Sequence, residues 1–183
     1  MMIDNIDAAY RLTRHLIDNG YRRFAALFGE ASTTGRERRQ GFEKALREHD
    51  LTPIVMRYLP PRIEAGHEAT LAIMTAPDRP EAILATNSLL SAGALEATRE
   101  LQLTLPDDVA LVGFDETTWS TLVQPKLTVI AQPTYEIGQT AMDLLLKRIE
   151  QPDAPARQVI LKGQLLARGS SAARRLQAVA LPA

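Results

Sequence analysis

A chain of 183 residues, 45% hydrophobic and 23% charged, has the balance of one globular domain or one and a half, able to bury a core. Its formal net charge is −1 with both signs mixed along the chain, which argues against nucleic-acid binding through its own electrostatics. Cysteine is absent, which excludes disulfides, a thiol nucleophile and thiolate metal sites. No apolar run approaches the roughly 18 residues that span a bilayer. The opening "MMIDNIDAAYRLTRHL" has no signal-peptide core either. A cytoplasmic protein without a membrane partner is expected.

Alternation organises the chain. "NIDAAYRLTRHLIDNG" places Ala9, Leu12, Leu16 and Ile17 at helical spacing, and Asn19-Gly20 supplies a left-handed stop before a strand over Arg23 to Phe28. "STTGRERRQGFEKALREHDL" predicts a loop and a second helix with Phe42, Ala45 and Leu46 on one face. Pro53 to Tyr58 reads as a strand, and "IEAGHEATLAIMTAP" as a helix ending before Pro77. "EAILATN" is a buried strand, and "SLLSAGALEATRELQL" a helix turning Leu90, Ala94, Leu95 and Ala97 towards a sheet. "DDVALVGFD" closes this series as a further strand. Helices interleaved with short apolar strands predict an α/β fold: a mainly parallel sheet flanked by helices on both faces.

The rhythm changes after Pro125. "KLTVIAQ" is a strand, and "PTYEIGQTAMDLLLKRIEQ" a long helix with a proline near its start. "ARQVILKGQLLARGS" holds two short strands around Lys162-Gly163. The linker "PDAP" and the Ala- and Arg-rich tail after Ser171 are expected to be mobile.

Ligands of open α/β sheets collect at the carboxyl ends of the strands. Asn87 ends one predicted strand, Asp115 ends another, and Arg38 lies near the start of the helix that follows strand 23–28. A guanidinium, an amide and a carboxylate suit a polyhydroxyl ligand: the first donates from a fixed fork, the last accepts from two hydroxyls, and the amide does both. Each also has a plain structural alternative. Asn87 caps the helix beginning at Ser88, Asp115 caps a turn, or Arg38 is solvated. Trp119, the single tryptophan, could stack on a sugar ring, but packing over the sheet edge ranks higher. His15, His49 and His67 have no metal-ligand spacing, and neither a phosphate-cradling glycine loop nor a G-x-S-x-G elbow is present. No catalytic residue, metal or cofactor is predicted, and an enzyme is not expected.

Several segments resemble the lactose-repressor (LacI/GalR) family of bacterial transcription regulators. "HLIDNGYRRFAALFG" followed by "RRQGFEKAL" resembles that family's "hLi-x-Gh-r-r-ia" and "R-x-x-Gf-x-x-Al". "LATNSLLSAGALEATRELQLTLPDDVALVGFDETTWSTLVQPKLTVIAQPTYEIGQTAMDLLL" is similar to its "N-D-x-x-A-x-Gal", "g-x-x-vP-dDv-x-vvGfDd", "P-x-LTtv-x-q" and "e-x-G-x-x-A-x-x-lL" patterns, in order. "LLARGSS" resembles the closing "L-v-x-R-x-S". The resemblance covers about residues 2–171, and an ordered series is far more specific than any one motif.

The resemblance implies a periplasmic-binding-protein-like type I lobe with a partial second lobe, and an effector-sensing function. Arg38, three before the motif glycine Gly41, corresponds to a usual effector contact, as do Asn87 and Asp115, while Asp4 at the first interlobe crossover is a weaker site residue. One departure is Ser88, where the family usually has aspartate; serine also caps helices. The implied organisation is 1–131 carboxyl-terminal lobe, 132–162 a segment of a mostly missing amino-terminal lobe, 163–171 a return strand, and 172–183 a flexible tail. The helix carrying Ile137, Ala141, Leu144 and Leu145 then lacks its native sheet and needs another surface, such as a second copy of the chain. Expected partners are a small-molecule effector of carbohydrate type, a second copy forming a homodimer, and operator DNA only through a helix-turn-helix headpiece absent from these residues. The alternative reading is a periplasmic sugar-binding component of a transporter, which shares the two-lobe architecture.

Overall fold

The computed structural model describes residues 2–173. In chain order it has β1 (Met2–Ile3), α1 (Asn5–Asp18), β2 (Phe24–Gly29), α2 (Thr33–Arg47), β3 (Val55–Leu59), α3 (Ile63–Thr75), β4 (Ala82–Ala85) and α4 (Ser88–Glu100). Then follow β5 (Ala110–Phe114), the short α5 (Thr118–Leu122), β6 (Thr128–Ala131), α6 (Thr134–Glu150), β7 (Ile160–Leu161), β8 (Gln164–Leu166) and a 3-10 turn, Gly169–Ser171. Six strands form one sheet in the order β3-β2-β4-β5-β6-β8, parallel throughout except for β8, which runs antiparallel to β6.

Side-chain alternation along the strands builds two cores. Phe24, Ala26, Phe28, Leu84, Val112 and Phe114 face α1 and α2, where Leu12, Leu16, Phe42 and Leu46 complete the packing. Ala25, Leu27, Ile83, Leu111 and Val129 face the other way, towards Ile73, Met74, Leu90 and Ala94 of α3 and α4. A strand covered on both faces cannot alternate polar and apolar residues, which is why "FAALF" and "ALVGF" read as continuous apolar runs. Phe42 meets Phe24 and Phe28 edge-on, with ring centroids 6.5 and 5.9 Å apart. Such pairs contribute about 0.5–1.5 kcal/mol each beyond their area.

Local signals end and join these elements. Gly20 has φ +92°, and the bonds from Gly20 N to Ile17 O (3.0 Å) and Tyr21 N to Leu16 O (3.1 Å) close α1 in a Schellman turn. Strand β3 starts at Val55, two residues later than expected, because Pro53 has no N–H to give a ladder. Gly41 lets α2 cross α1 closely: a Cβ there would stand 2.1 Å from Ile6 O and 2.9 Å from Tyr10 N, both backbone atoms.

After β6 the chain leaves this sheet. None of the residues of α6 is buried; Tyr135 is 82% and Ile149 67% exposed, with Met142, Leu145 and Leu146 also open. Of the expected apolar face, Ile137 and Leu144 are half-buried, while Ala141 and Leu145 are exposed. Met2–Ile3 pairs in parallel with Ile160–Leu161 in a separate two-stranded sheet. Residues 2–3 therefore differ from the rest of the expected 1–131 segment, since their register partner is β7 and not the main sheet.

The chain then returns through β8 and is tied down by side chains. Ser170 Oγ donates to Leu111 O (2.6 Å) and accepts from Thr128 N (2.9 Å), and Ser171 Oγ lies 2.7 Å from Thr128 Oγ1 and 2.8 Å from His15 Nε2. Burial lowers the pKa of His15 from its ordinary value. Ala172, placed by sequence at the start of a flexible tail, is instead anchored: Tyr21 Oη donates to its carbonyl at 2.8 Å. Residues 174–183 of that tail lie outside the described residues.

Replacing Gly41 by alanine is expected to push α1 and α2 apart and cost about 1–3 kcal/mol. The check is a drop in the urea midpoint at unchanged slope.

Candidate functional site

The carboxyl ends of β2, β4, β5 and β6 lie side by side, and polar residues follow each of them. Arg38 projects from one turn into α2 and is only 6% exposed. Its Nε donates to Asn5 Oδ1 at 2.8 Å, and Nη1 donates to the carbonyl of Thr86. Asn5, itself buried, donates through Nδ2 to Glu37 Oε2 at 2.8 Å and to Ile3 O at 3.3 Å. Thr86 is buried too: its hydroxyl donates to Leu27 O (3.0 Å) and accepts from Gly29 N (3.2 Å). The guanidinium carbon stands 3.9 Å from the centroid of the Phe114 ring, so the end of β5 supplies an aromatic floor.

Burial pulls the Arg38 guanidinium down to about 10, while the charges of Asp115 and Glu37 oppose that shift. It therefore stays protonated at neutral pH, a fixed cation among polar groups that are themselves held.

Asp115 follows Phe114 with φ +73°, a left-handed conformation that aspartate tolerates better than most residues. Its N–H donates to Ile130 O at 2.9 Å, and its carboxylate accepts from Gln132 Nε2, just beyond β6. The positive φ turns the chain sharply at the strand end. Asn87 occupies the corresponding place after β4 and caps α4, its Oδ1 accepting from Leu90 N at 2.9 Å. Its Nδ2 has no hydrogen-bond partner among the described residues. Asn87 is thus a cap and a free donor together, and the two readings of this residue are not exclusive.

The other residues singled out in the sequence take these places. Ser88 is the first residue of α4 and not its cap, because Asn87 takes that position. Asp4 caps α1, with Oδ1 accepting from Asp7 N at 2.9 Å, directly before Asn5. Trp119 lies in α5, half-buried and packed against the α3/α4 core, as the edge-packing alternative has it. His67 pairs with Glu100 at 2.7 Å on the helix surface, far from the strand ends in chain order. Two hollows of about 540 and 450 Å³ flank α6 and touch none of the five candidate residues.

Sequence reasoning missed Asn5, Thr86 and Gln132. Each was in view: Asn5 begins α1, Thr86 precedes Asn87, and Gln132 ends "LTVIAQ". No spacing rule links residues 5, 38 and 86, so only the folded chain makes them a network.

A family model for the periplasmic binding protein-like domain matches residues 13–171. The chain belongs to that family. It is 33% identical over 157 residues to the HTH-type transcriptional repressor PurR of Haemophilus influenzae, which covers 84% of this chain and 47% of the relative. The PurR of Yersinia enterocolitica is 36% identical over 154 residues, covering 81% and 45%. The chain spans about half the length of these curated relatives. A LacI family transcriptional regulator from Enterococcus faecium with bound ribose superposes with a TM-score of 0.86 at 25% identity, covering 94% of this chain and 65% of that one. A dimeric lac repressor with a carboxyl-terminal deletion gives 0.87 at 28% identity, covering 95% and 64%. Its fold is that of the core domain in these LacI-type regulators. Among the described residues, no helix is long and apolar enough to cross a membrane.

Arg38 and Asn87 thus carry donors, and Asp115 acceptors, close to the carboxyl ends of β2, β4 and β5. Arg38→Gln is expected to cost about 1–3 kcal/mol, because the acceptors on Asn5 and Thr86 lose a charged donor while still buried. Thermal unfolding measures this, and a change within experimental error would show that the network is not needed for the fold.

Proposed function

We propose that this domain senses a small polyhydroxylated metabolite of sugar type, bound between two lobes of which Arg38, Asn87 and Asp115 form one wall. The single observation behind this reading is a charged, buried Arg38 beside Asp115 at the carboxyl ends of the parallel strands. A sugar hydroxyl pair can accept from the guanidinium fork and donate to the carboxylate, and the Asn87 amide adds a free donor. Asp4 is an outer contact at most, since its carboxylate already caps α1. Trp119 is a weaker member of the set because its ring packs on the core. The ribose in the Enterococcus faecium relative supports the ligand class.

The second lobe follows from what α6, β1 and β7 leave open. A two-stranded sheet and an amphipathic helix with no buried residue are not stable alone in water. We assign both to an amino-terminal lobe continued by further chain, with 163–171 as the return to the first lobe. A ligand with different affinity for the open and closed lobe arrangements shifts the balance between them, and operator affinity of a linked headpiece changes with it. The lac repressor neighbours described as dimeric support a homodimer for the whole regulator, which in this reading acts in the cytoplasm as a sensor and not as an enzyme.

Titration of the chain with ribose and a panel of pentoses and hexoses, followed by two-dimensional NMR, tests the reading. Binding is expected to be weaker than micromolar, because pockets normally enclose roughly 70–90% of a small ligand and one wall cannot. Shifts should centre on Asn87, Asp115 and Gln132, and Asp115→Asn should weaken binding about tenfold or more. Sugar-induced shifts confined to α6, or none at millimolar concentration, would sink the proposal.

A further inference from the structure

Asp115 opens a loop, 115–127, whose only regular element is the short α5. Something has to hold this loop, since Asp115 itself sits at a positive φ and its carboxylate has one side-chain partner, Gln132. The neighbouring Glu116 is exposed but pairs with Arg168 Nη2 across 52 residues of sequence. Arg168 is half-buried, with a side chain 17% exposed, and three further bonds tie it to the close of the loop. Nη1 donates to Leu127 O (3.2 Å), the backbone N donates to Thr128 Oγ1 (2.8 Å), and Thr128 Oγ1 donates to Arg168 O (3.1 Å).

One arginine thus grips both ends of the loop: Glu116 at its start and Leu127–Thr128 at its close, where β6 begins. The same residue lies two positions beyond the return strand β8, and Ser170 and Ser171 fasten the next turn to Leu111, Thr128 and His15. A surface ion pair alone is worth little. This one is backed by three bonds that fix the guanidinium and backbone of Arg168 before Glu116 arrives, so little entropy is lost when the pair closes.

We propose that Arg168 is a positioning residue for the ligand wall: through Glu116 it sets the loop that presents Asp115, and through Thr128 it registers that loop against β6 and Gln132. This rests on reading Asp115 as a ligand contact, but the clamp can be tested without ligand. The loop carries its own reporter in Trp119, the single tryptophan.

The test compares the unmodified chain with Arg168→Gln, Glu116→Gln and the charge-swapped pair Glu116→Arg with Arg168→Glu. In Arg168→Gln and Glu116→Gln, amide exchange at Ser120, Val123 and Leu127 should rise about tenfold, with Leu84 and Val112 in the central strands unchanged. Trp119 emission should shift, and the side-chain amide signal of Gln132 should lose the displacement caused by the Asp115 carboxylate. The swapped pair should recover part of all three signals. Glu116→Gln removes only the exposed partner, so it reports on the clamp even if Arg168→Gln does not fold. Loop exchange and the Gln132 signal both unchanged in Glu116→Gln would overturn the proposal. Equal acceleration throughout the sheet would overturn it as well, since Arg168 would then be a general support. Ribose titration of the unmodified chain separates the two readings: absence of binding counts against Asp115 as a contact and leaves the clamp standing or falling on its own signals.

Discussion

Burying a guanidinium costs several kcal/mol unless acceptors replace the water it loses, and that demand organises the top of this sheet. Arg38 has to find acceptors, and it finds them on residues that are themselves buried and held: Asn5 at the start of α1 and the carbonyl of Thr86 at the end of β4. Those in turn are fastened to Glu37, Ile3, Leu27 and Gly29. The ring of Phe114 beneath the charge links β5 to the same point. The proposed ligand wall would therefore be a consequence of burial: a cation so placed cannot move without leaving acceptors unpaired, which makes it a preorganised donor.

The close approach of α1 and α2 serves the same end. Gly41 lies on the face of α2 that carries Arg38, three residues on, and its missing side chain lets α1 come near enough for Asn5 to reach the guanidinium. An arginine and a glycine spaced one helical turn apart thus have one shared physical reason. Across the sheet, Asp115 and Gln132 are joined by the ladder between β5 and β6, and Arg168 ties the loop between those strands to the return strand. Two sub-assemblies meet at the strand ends, one from the α1/α2 face and one from the β6/β8 edge.

Much of this was legible along the chain. Helices α1, α2 and α4 announced themselves through Leu12, Leu16, Phe42, Leu46, Leu90 and Ala94, since 3.6-residue periodicity is a local property. Gly20 named the end of α1 because few other residues accept its φ. Arg38 was marked by its place three before Gly41; within "RERR" the three arginines look alike, and only packing shows which one turns inward. Asn87 was legible as the cap of the helix beginning at Ser88, since capping is a local property of the residue just before a helix.

By itself the sequence determined the alternation of helices and strands, the two-faced burial of the sheet and the family, because periodicity, turn residues and ordered motifs act over short stretches of chain. Only the tertiary structure decided that Asn5, Arg38 and Thr86 form one network, that Gln132 meets Asp115, and that Arg168 spans the loop between them. Those contacts join residues 17 to 52 positions apart. Hydrogen bonds at such separations depend on strand order and helix crossing, which no local rule encodes.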